Sequence, residues 1–470
     1  MSYKKGSAEQ HRGYNIFSAK PFRSSIDFLR IFSIFNNQCK MKTTCPVLIL
    51  VSLALCGLPD ETKAQYVAGG FRYTLKIFND GFVQASGIND HGQLGDKSNI
   101  NSNIPVLVYK LNNIKAVAAG AYHAIALKKD GTVWAWGLNT DGQLGNGDNI
   151  ESNTPVQVEL LTDVAAIDSR TYHSIILKKD GTAWTWGDND FGQLGNGTNT
   201  DSNIPVKVIG LTGIKAVAAA EHHSLALKKN GTVWAWGQNS NYRQLGIGEK
   251  SDCNVPIQVN GLTDIIAISG GDFHSLALKK DSTVWAWGNN KEGALGNGMN
   301  ENCSIPVMIK GLTGIIAIAV GESHSLALKD DGTVWAWGRN EEGQLGNGNN
   351  INSNAPIQVP LLKEITAISS GVNHSIAMKN KDTIWTWGNN KEGEFGNGTN
   401  TSSNNPVLLG DIKIIGKKPL NLDMNDSFFY QLKEVCMNHI FWTVFIITIV
   451  LLWLLFLLSR KRKNERKSSP

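Results

Sequence analysis

A histidine returns about every fifty residues through the middle of this 470-residue chain, at His123, His173, His223, His274, His324 and His374. Imidazole titrates near neutrality and binds transition metals, so such a series could supply bases or ligands. Its surroundings argue otherwise. No His-x-His pair or cysteine pair with metal-ligand spacing accompanies it, and a residue identical in every repeat serves architecture first. The six are read as satisfied structural groups. What changes from repeat to repeat is free to specialise. The position just before the histidine reads Tyr122, Tyr172, His222 and Phe273, then Ser323 and Asn373, with Arg170, Glu221, Asp272 and Glu322 beside it. Aromatics with arginine and a charged rim are the usual make-up of a protein-binding hot spot. The opposing expectation is that these rings fold down onto their own repeat.

A second variable stretch follows each Trp-Gly. It holds Asp188-Asn189-Asp190-Phe191 in one repeat, Asn241-Tyr242-Arg243 in another and Arg339-Asn340-Glu341-Glu342 in a third. Phe191, Tyr242 and Arg243 join the candidate protein-binding residues. The Asp and Asn side chains could give oxygen to calcium, but turn chemistry explains them equally well, and no metal site is assigned. There is no Gly-x-Ser-x-Gly elbow, no phosphate loop and no recurring carboxylate pair. No catalytic residue and no cofactor is assigned. An enzyme built on this chain would need carboxylates or histidines gathered at one place by the fold.

The elements that position these residues are legible. "KKDGTVWAWG" at 128–137 returns as "KKDGTAWTWG", "KKNGTVWAWG", "KKDSTVWAWG", "KDDGTVWAWG" and "KNKDTIWTWG". Proline recurs at 105, 155, 205, 256, 306, 356 and 406, and Gly-Gln-Leu-Gly or a variant recurs seven times. There are thus seven repeats. The first is degenerate, with Tyr73 for the histidine and Gln84 and Ser86 for the tryptophans. The period is 50, or 51 once, where Ser240-Asn241-Tyr242-Arg243 carries an extra residue. Two alternating segments flank Asp-Gly or Asn-Gly in five repeats, which predicts a hairpin with a type I′ turn. A strand before the histidine and a short one after the proline make four. Nothing has helical period. Four short strands repeated seven times predict an all-β, seven-bladed propeller spanning residues 65–415. On Thr132-Val133-Trp134-Ala135-Trp136, alternation sends both tryptophans to one face and the small residues to the other, so stacked blades can mate bulky against small. Asp411–Ile415 repeats the pattern of Gly213–Val217 and is expected to complete the first blade.

Charge and apolar runs bound the rest. Residues 66–415 hold 27 Lys+Arg against 32 Asp+Glu, while the segments before and after hold nine against four each. The middle lacks the basic footprint of nucleic-acid binding. Its two cysteines, Cys253 and Cys303, sit at matching rim positions and are expected to be free thiols. Ile440–Leu458 is nineteen residues without a charge, followed by Arg460-Lys461-Arg462-Lys463. This reads as one transmembrane helix with residues 459–470 as a cytoplasmic tail and 416–439 as a stalk. Met41-Lys42, the apolar run 46–58 and Ala64 read as a signal peptide within an extension over 1–64. Met41 is an alternative start. The expected localisation is a single-pass membrane protein with its propeller outside the cytoplasm.

The repeat "AVAAGxxHSLALKKDGTVWAWGxNxxGQLGNG" closely resembles those of the regulator of chromosome condensation family, over about 350 residues. The resemblance implies the seven-bladed fold. For function it implies several things, since members exchange guanine nucleotide on a nuclear GTPase, sense ultraviolet light in plants, or inhibit β-lactamase as secreted bacterial proteins. The terse repeats here are most similar to the last type, which binds its target through aromatics in the same loop. Exchange factors carry blade insertions that this chain lacks, and none of their catalytic residues maps onto it. The expectation is a membrane-anchored propeller that binds another protein without catalysis. The alternatives are a modulator or exchange factor of a small GTPase, and a propeller-based hydrolase or lyase.

Overall fold

The structure, a computed structural model, describes residues 66–78, 81–380 and 383–409. They form seven four-stranded antiparallel sheets, each built from consecutive strands. Blade 1 comprises β1 (Val67–Gly69), β2 (Tyr73–Phe78), β3 (Phe82–Gly87) and β4 (Ser102–Leu107). Blades 2 to 7 occupy residues 114–157, 164–207, 214–258, 265–308, 315–358 and 367–409 in the same order. The four-strand repeat and the seven-bladed count are as the sequence predicts. β1 itself fills the innermost place of blade 1, with three residues where other blades have four to seven. The expected clasp over 411–415 lies outside the described residues, as do the signal peptide, stalk, transmembrane segment and tail. Among the described residues no helix is long and apolar enough to cross a membrane.

The mating of blades follows from the two-residue period. Trp136 and Trp134 pack into blade 1 against Leu75 and Val83, while Val133 and Ala135 of the same strand meet Trp186 and Trp184 of blade 3. The second tryptophan of each pair (136, 186, 236, 287, 337, 387) is wholly buried. Burying an indole of this size stabilises by about 4–6 kcal/mol relative to leaving it in water.

The hairpins differ from expectation in one respect. Gly131 has φ 89° but Asp130 does not enter the left-handed region, so the turn is not type I′. Gly131 N–H donates to the Lys128 carbonyl and Lys128 N–H to the Thr132 carbonyl. That is a type I turn closed by one left-handed residue. Asp130 Oδ1 accepts from the Thr132 amide and hydroxyl at 2.9 and 2.7 Å, which explains the Asp-Gly-Thr sequence.

Polar bonds stitch every seam of the ring. Trp186 Nε1 donates to the Gln143 carbonyl of the preceding blade at 2.9 Å, and Ser174 Oγ donates to the same carbonyl. His123 Nε2 lies 3.0 Å from Ser174 Oγ of the next blade. Because that hydroxyl's hydrogen is committed to the carbonyl, the imidazole is the donor. Equivalent contacts join His173 to Ser224, His223 to Ser275, His274 to Ser325 and His324 to Ser375. His374 closes the circle on Thr74 of blade 1 at 3.0 Å. The degenerate repeat has its own solution. Tyr73 Oη donates to the His123 carbonyl, the serine it would have met is Ala124, and Ser86 bonds the Glu394 carbonyl in place of a tryptophan.

Candidate functional site

Strand direction sorts the connections into two faces. The loops at 120–122 and 138–151, and their counterparts, open on one face, here called the loop face. The hairpin tips and the links between blades open on the other, the turn face. Both variable stretches therefore share the loop face, and each seam brings them together. At four seams the residue before the histidine, or its counterpart Arg72, contacts the variable loop of the preceding blade.

The first such contact is His91 against Tyr122, with ring centroids 5.1 Å apart, and Phe71 lies 5.3 Å from Tyr122 on its other side. Phe191 meets His222 at 4.8 Å and Tyr242 meets Phe273 at 4.7 Å. Tyr122, Tyr172, His222, Phe273, Phe191 and Tyr242 are all half-buried. They neither fold wholly onto their blades nor stand free. At the 7–1 seam the same positions form an ion pair instead, Glu392 with Arg72 at 3.6 Å. His91 and Phe71 are members of this arc that the sequence reading passed over. Their signal was register, since His91 occupies the loop position of Phe191 and Tyr242. Arg243 takes the left-handed position, φ 61°, that glycine fills in the other blades.

Arg170 and Asp272 lie deeper than the aromatic arc. Grouped by the sequence with the candidate protein-binding residues, they are buried, 9% and 7% exposed. Arg170 reaches from blade 3 across the centre of the ring. Its Nε and Nη2 lie 2.9 and 2.8 Å from Asp272 Oδ1 of blade 5, and its Nη1 donates to the Val320 carbonyl of blade 6. The hollow beside it measures about 10 Å³, room for roughly one water. The guanidinium plugs the channel.

Around that plug stand three carboxylates at one repeat position in consecutive blades, Glu221, Asp272 and Glu322. Burial, then the Asp272 charge, raises Glu221 to about 7 and lifts Glu322 as well. His222 is raised too. Burial opposes its charge, but Asp188 and Glu221, at 3.7 and 3.6 Å, outweigh it. Asp168, whose Oδ2 accepts the Ala219 amide, is pushed by burial to about 6. Carboxylates thus do gather at the channel mouth, as an enzyme reading would require. The central one, Asp272, is paired with Arg170.

The repeated histidines sit beneath this mouth. Burial lowers His123, His274 and His324 to about 3 and His173 and His374 to about 4, with His223 also well below its ordinary value. They are neutral, hydrogen-bonded and structural. Cys253 and Cys303 are free thiols. Carboxylate oxygens of Asp188, Asp190 and Asp201 come within 4.8 Å of one another. Two of the three are engaged by the loop itself, Asp188 by Gln193 and the Asp190 amide and Asp201 by the Asn189 amide. That is turn chemistry.

With this geometry in hand, comparison with known proteins is informative. The RCC1-like domain family model matches residues 34–272. Two models of the regulator of chromosome condensation (RCC1) repeat match further on, one over 281–328 and 331–378, the other over 265–294, 315–344 and 365–394. A stretch of 55 residues is 49% identical to the probable E3 ubiquitin-protein ligase HERC6 of Homo sapiens, covering 11% of this chain and 5% of that protein. The chain therefore corresponds to a small part of that relative's length. Among solved structures, human WBSCR16 is 24% identical with a TM-score of 0.64, over 70% of this chain and 93% of that one. Prp20p of Saccharomyces cerevisiae, described with its binding to Gsp1p and histones, is 23% identical with a TM-score of 0.65, over 76% and 90%. At these identities the likeness is one of fold.

Proposed function

The chain belongs to the regulator of chromosome condensation repeat family, and from that premise we propose that it is a membrane-anchored propeller which binds another protein through its loop face. One observation carries the reading. The residues that vary between repeats meet in pairs across the seams of a single face, half-buried and largely aromatic, while the residues that recur are consumed in holding the ring together. Tyr122, Tyr172, His222, Phe273, Phe191 and Tyr242 supply contact area at low entropic cost. Glu221 and Glu322, with Arg243 at the rim, supply charge. Arg170 and Asp272 act from behind, by fixing the loops that carry these groups.

The test is site-specific photocrosslinking in the native membrane, with the photoreactive residue placed at Phe273 or Tyr122 on the loop face or at Lys229 on the turn face. One discrete adduct from both loop-face positions and none from Lys229 is expected. Adducts from Lys229 alone would remove the proposal.

A second reading is favoured by the Prp20p likeness, namely that the partner is a small GTPase whose nucleotide exchange the propeller promotes. It requires the ring on the GTPase's side of the membrane. Protease digestion of intact cells distinguishes the two, since a propeller cleaved from outside leaves no route to a cytoplasmic GTPase.

A further inference from the structure

The turn face carries a feature that neither the blade architecture nor the loop-face reading uses. Each link between blades contains a turn whose third residue is left-handed. Gly210, Gly261 and Gly311 occupy it in three links, at φ 70–79°. Leu160 and Leu361 occupy it in two others, at φ 58° and 68°, with their side chains 78% and 82% exposed. A leucine there is strained by its Cβ and pays no way back through burial. Exposure alone marks little. Ile100, Ile150 and Ile351 on the loop side are nearly as open, but their backbone is ordinary. The two leucines combine strain with exposure.

Their setting is basic. The hairpin tips on this face carry lysine pairs, Lys128-Lys129, Lys178-Lys179, Lys228-Lys229 and Lys279-Lys280. Lys128, Lys178 and Lys228 lie over Trp134, Trp184 and Trp234 at 4.6–5.4 Å, while the second lysine of each pair is exposed. The corresponding residue in the link to blade 2 is Lys110, also left-handed at φ 50°. Several carboxylates here are already engaged, Asp163 by Lys179 and Glu364 by Lys379. Glu159, exposed beside Leu160, and the hairpin-tip carboxylates Asp130, Asp180, Asp281 and Asp331, each accepting from the threonine two residues on, are charges against the arrangement.

The leucines bracket one arc. Leu361 precedes blade 7 and Leu160 follows blade 2, so blades 7, 1 and 2 lie between them. Phe82, 41% exposed, is in the hairpin of blade 1. The described chain ends in this arc as well. Leu409 pairs with Ile384 at the turn-face end of blade 7, and the uncharged run 440–458 lies thirty residues further on.

We propose that the turn face of the ring is a membrane-docking surface for an anionic bilayer, in which Leu160 and Leu361 enter the headgroup region and the hairpin-tip lysines of blades 2 to 5, with Lys110, hold anionic lipid. Apolar side chains projecting from a basic surface bind such bilayers by partial insertion together with charge. The loop face then points away from the lipid.

Amide hydrogen exchange of the full chain tests this, with vesicles of phosphatidylcholine compared with vesicles containing about one-third phosphatidylserine. Insertion of the run 440–458 would occur in both, so the difference isolates the turn face. The amides of 159–163 and 360–364 are expected to exchange several-fold more slowly on the anionic vesicles. About 1 M salt should abolish the difference, and so should the double variant Leu160→Gly with Leu361→Gly, which adopts the residue that other links already use. Equal exchange on both vesicles overturns the proposal. So does equal protection by duplex DNA that survives the leucine changes, which would make the face a general polyanion surface. Neither result touches the loop-face reading, because crosslinking from Phe273 is independent of lipid charge.

Discussion

Arg170 and Asp272 stand 102 residues apart in sequence and in blades separated by a third, yet their side chains meet at 2.8–2.9 Å in the centre of the ring. Removing one member leaves a buried charge without its partner, whereas removing both leaves none. Asp272→Ala is expected to cost about 3–5 kcal/mol of unfolding free energy. Combining it with Arg170→Met should recover most of it. Denaturant melts of the four combinations decide. Additive losses would mean the pair is not coupled.

Tyr73 and Ala124 replace a histidine and a serine together. In a double-mutant cycle, Tyr73→His alone places an imidazole against a methyl group and should cost roughly 1–3 kcal/mol, as an unmet buried polar group does. Adding Ala124→Ser supplies the acceptor found at the other seams and should return about 1 kcal/mol. The readout is the coupling energy from thermal or urea unfolding.

Acid should open the ring. The six buried histidines have folded pKa values depressed from 6.5 to about 3–4 where a value is resolved. The unfolded chain therefore binds more protons below pH 6.5, and the stability their neutral form contributes is lost as pH falls through that window. Asp168, Glu221 and Glu394, raised to about 6, 7 and 7, act in the opposite sense. Glu322 is raised as well and acts with them, but the six histidines carry the larger displacement below pH 6.5, so the net dependence keeps their sign. Stability should be greatest above pH 7 and fall steeply below about pH 6. A flat profile between pH 7 and 5 in denaturant titrations would contradict the depressed values.

Leu160→Gly and Leu361→Gly should leave the ring as stable or raise its stability by up to about 1 kcal/mol each, since left-handed backbone costs a leucine about that much. A clear loss in the melting temperature would indicate that the leucines pack within the propeller after all.

Much of this was open to reading in one dimension. The fifty-residue period, the Asp-Gly hairpins and the tryptophan pairs specify blades because each blade touches only its neighbours, so local pattern and tertiary contact coincide. The pairing of Tyr73 with Ala124 was also visible in principle, as a lost histidine followed fifty-one residues later by a lost serine. Arg170 was legible as an odd residue but not as a buried one. Its partner lies two blades away, and periodicity carries no information about who meets across a channel. The turn differs from the expected type I′ for a simpler reason, in that Asp-Gly is compatible with two turns and the following threonine decides between them. Leu160 and Leu361 stood out only once φ was known.

The contact of His374 with Thr74 has a consequence for how the molecule comes into being. Six seams join stretches adjacent along the chain and can zip as each blade forms. The seventh joins segments 300 residues apart, and drawing such a loop shut costs about 5 kcal/mol of chain entropy. That seam, bridged by Val372 N–H to the Gly70 carbonyl and by a three-residue β1, is expected to be the last to form and the first to part. The protein is made as a string and kept as a circle, with its kinetic lifetime set at one joint.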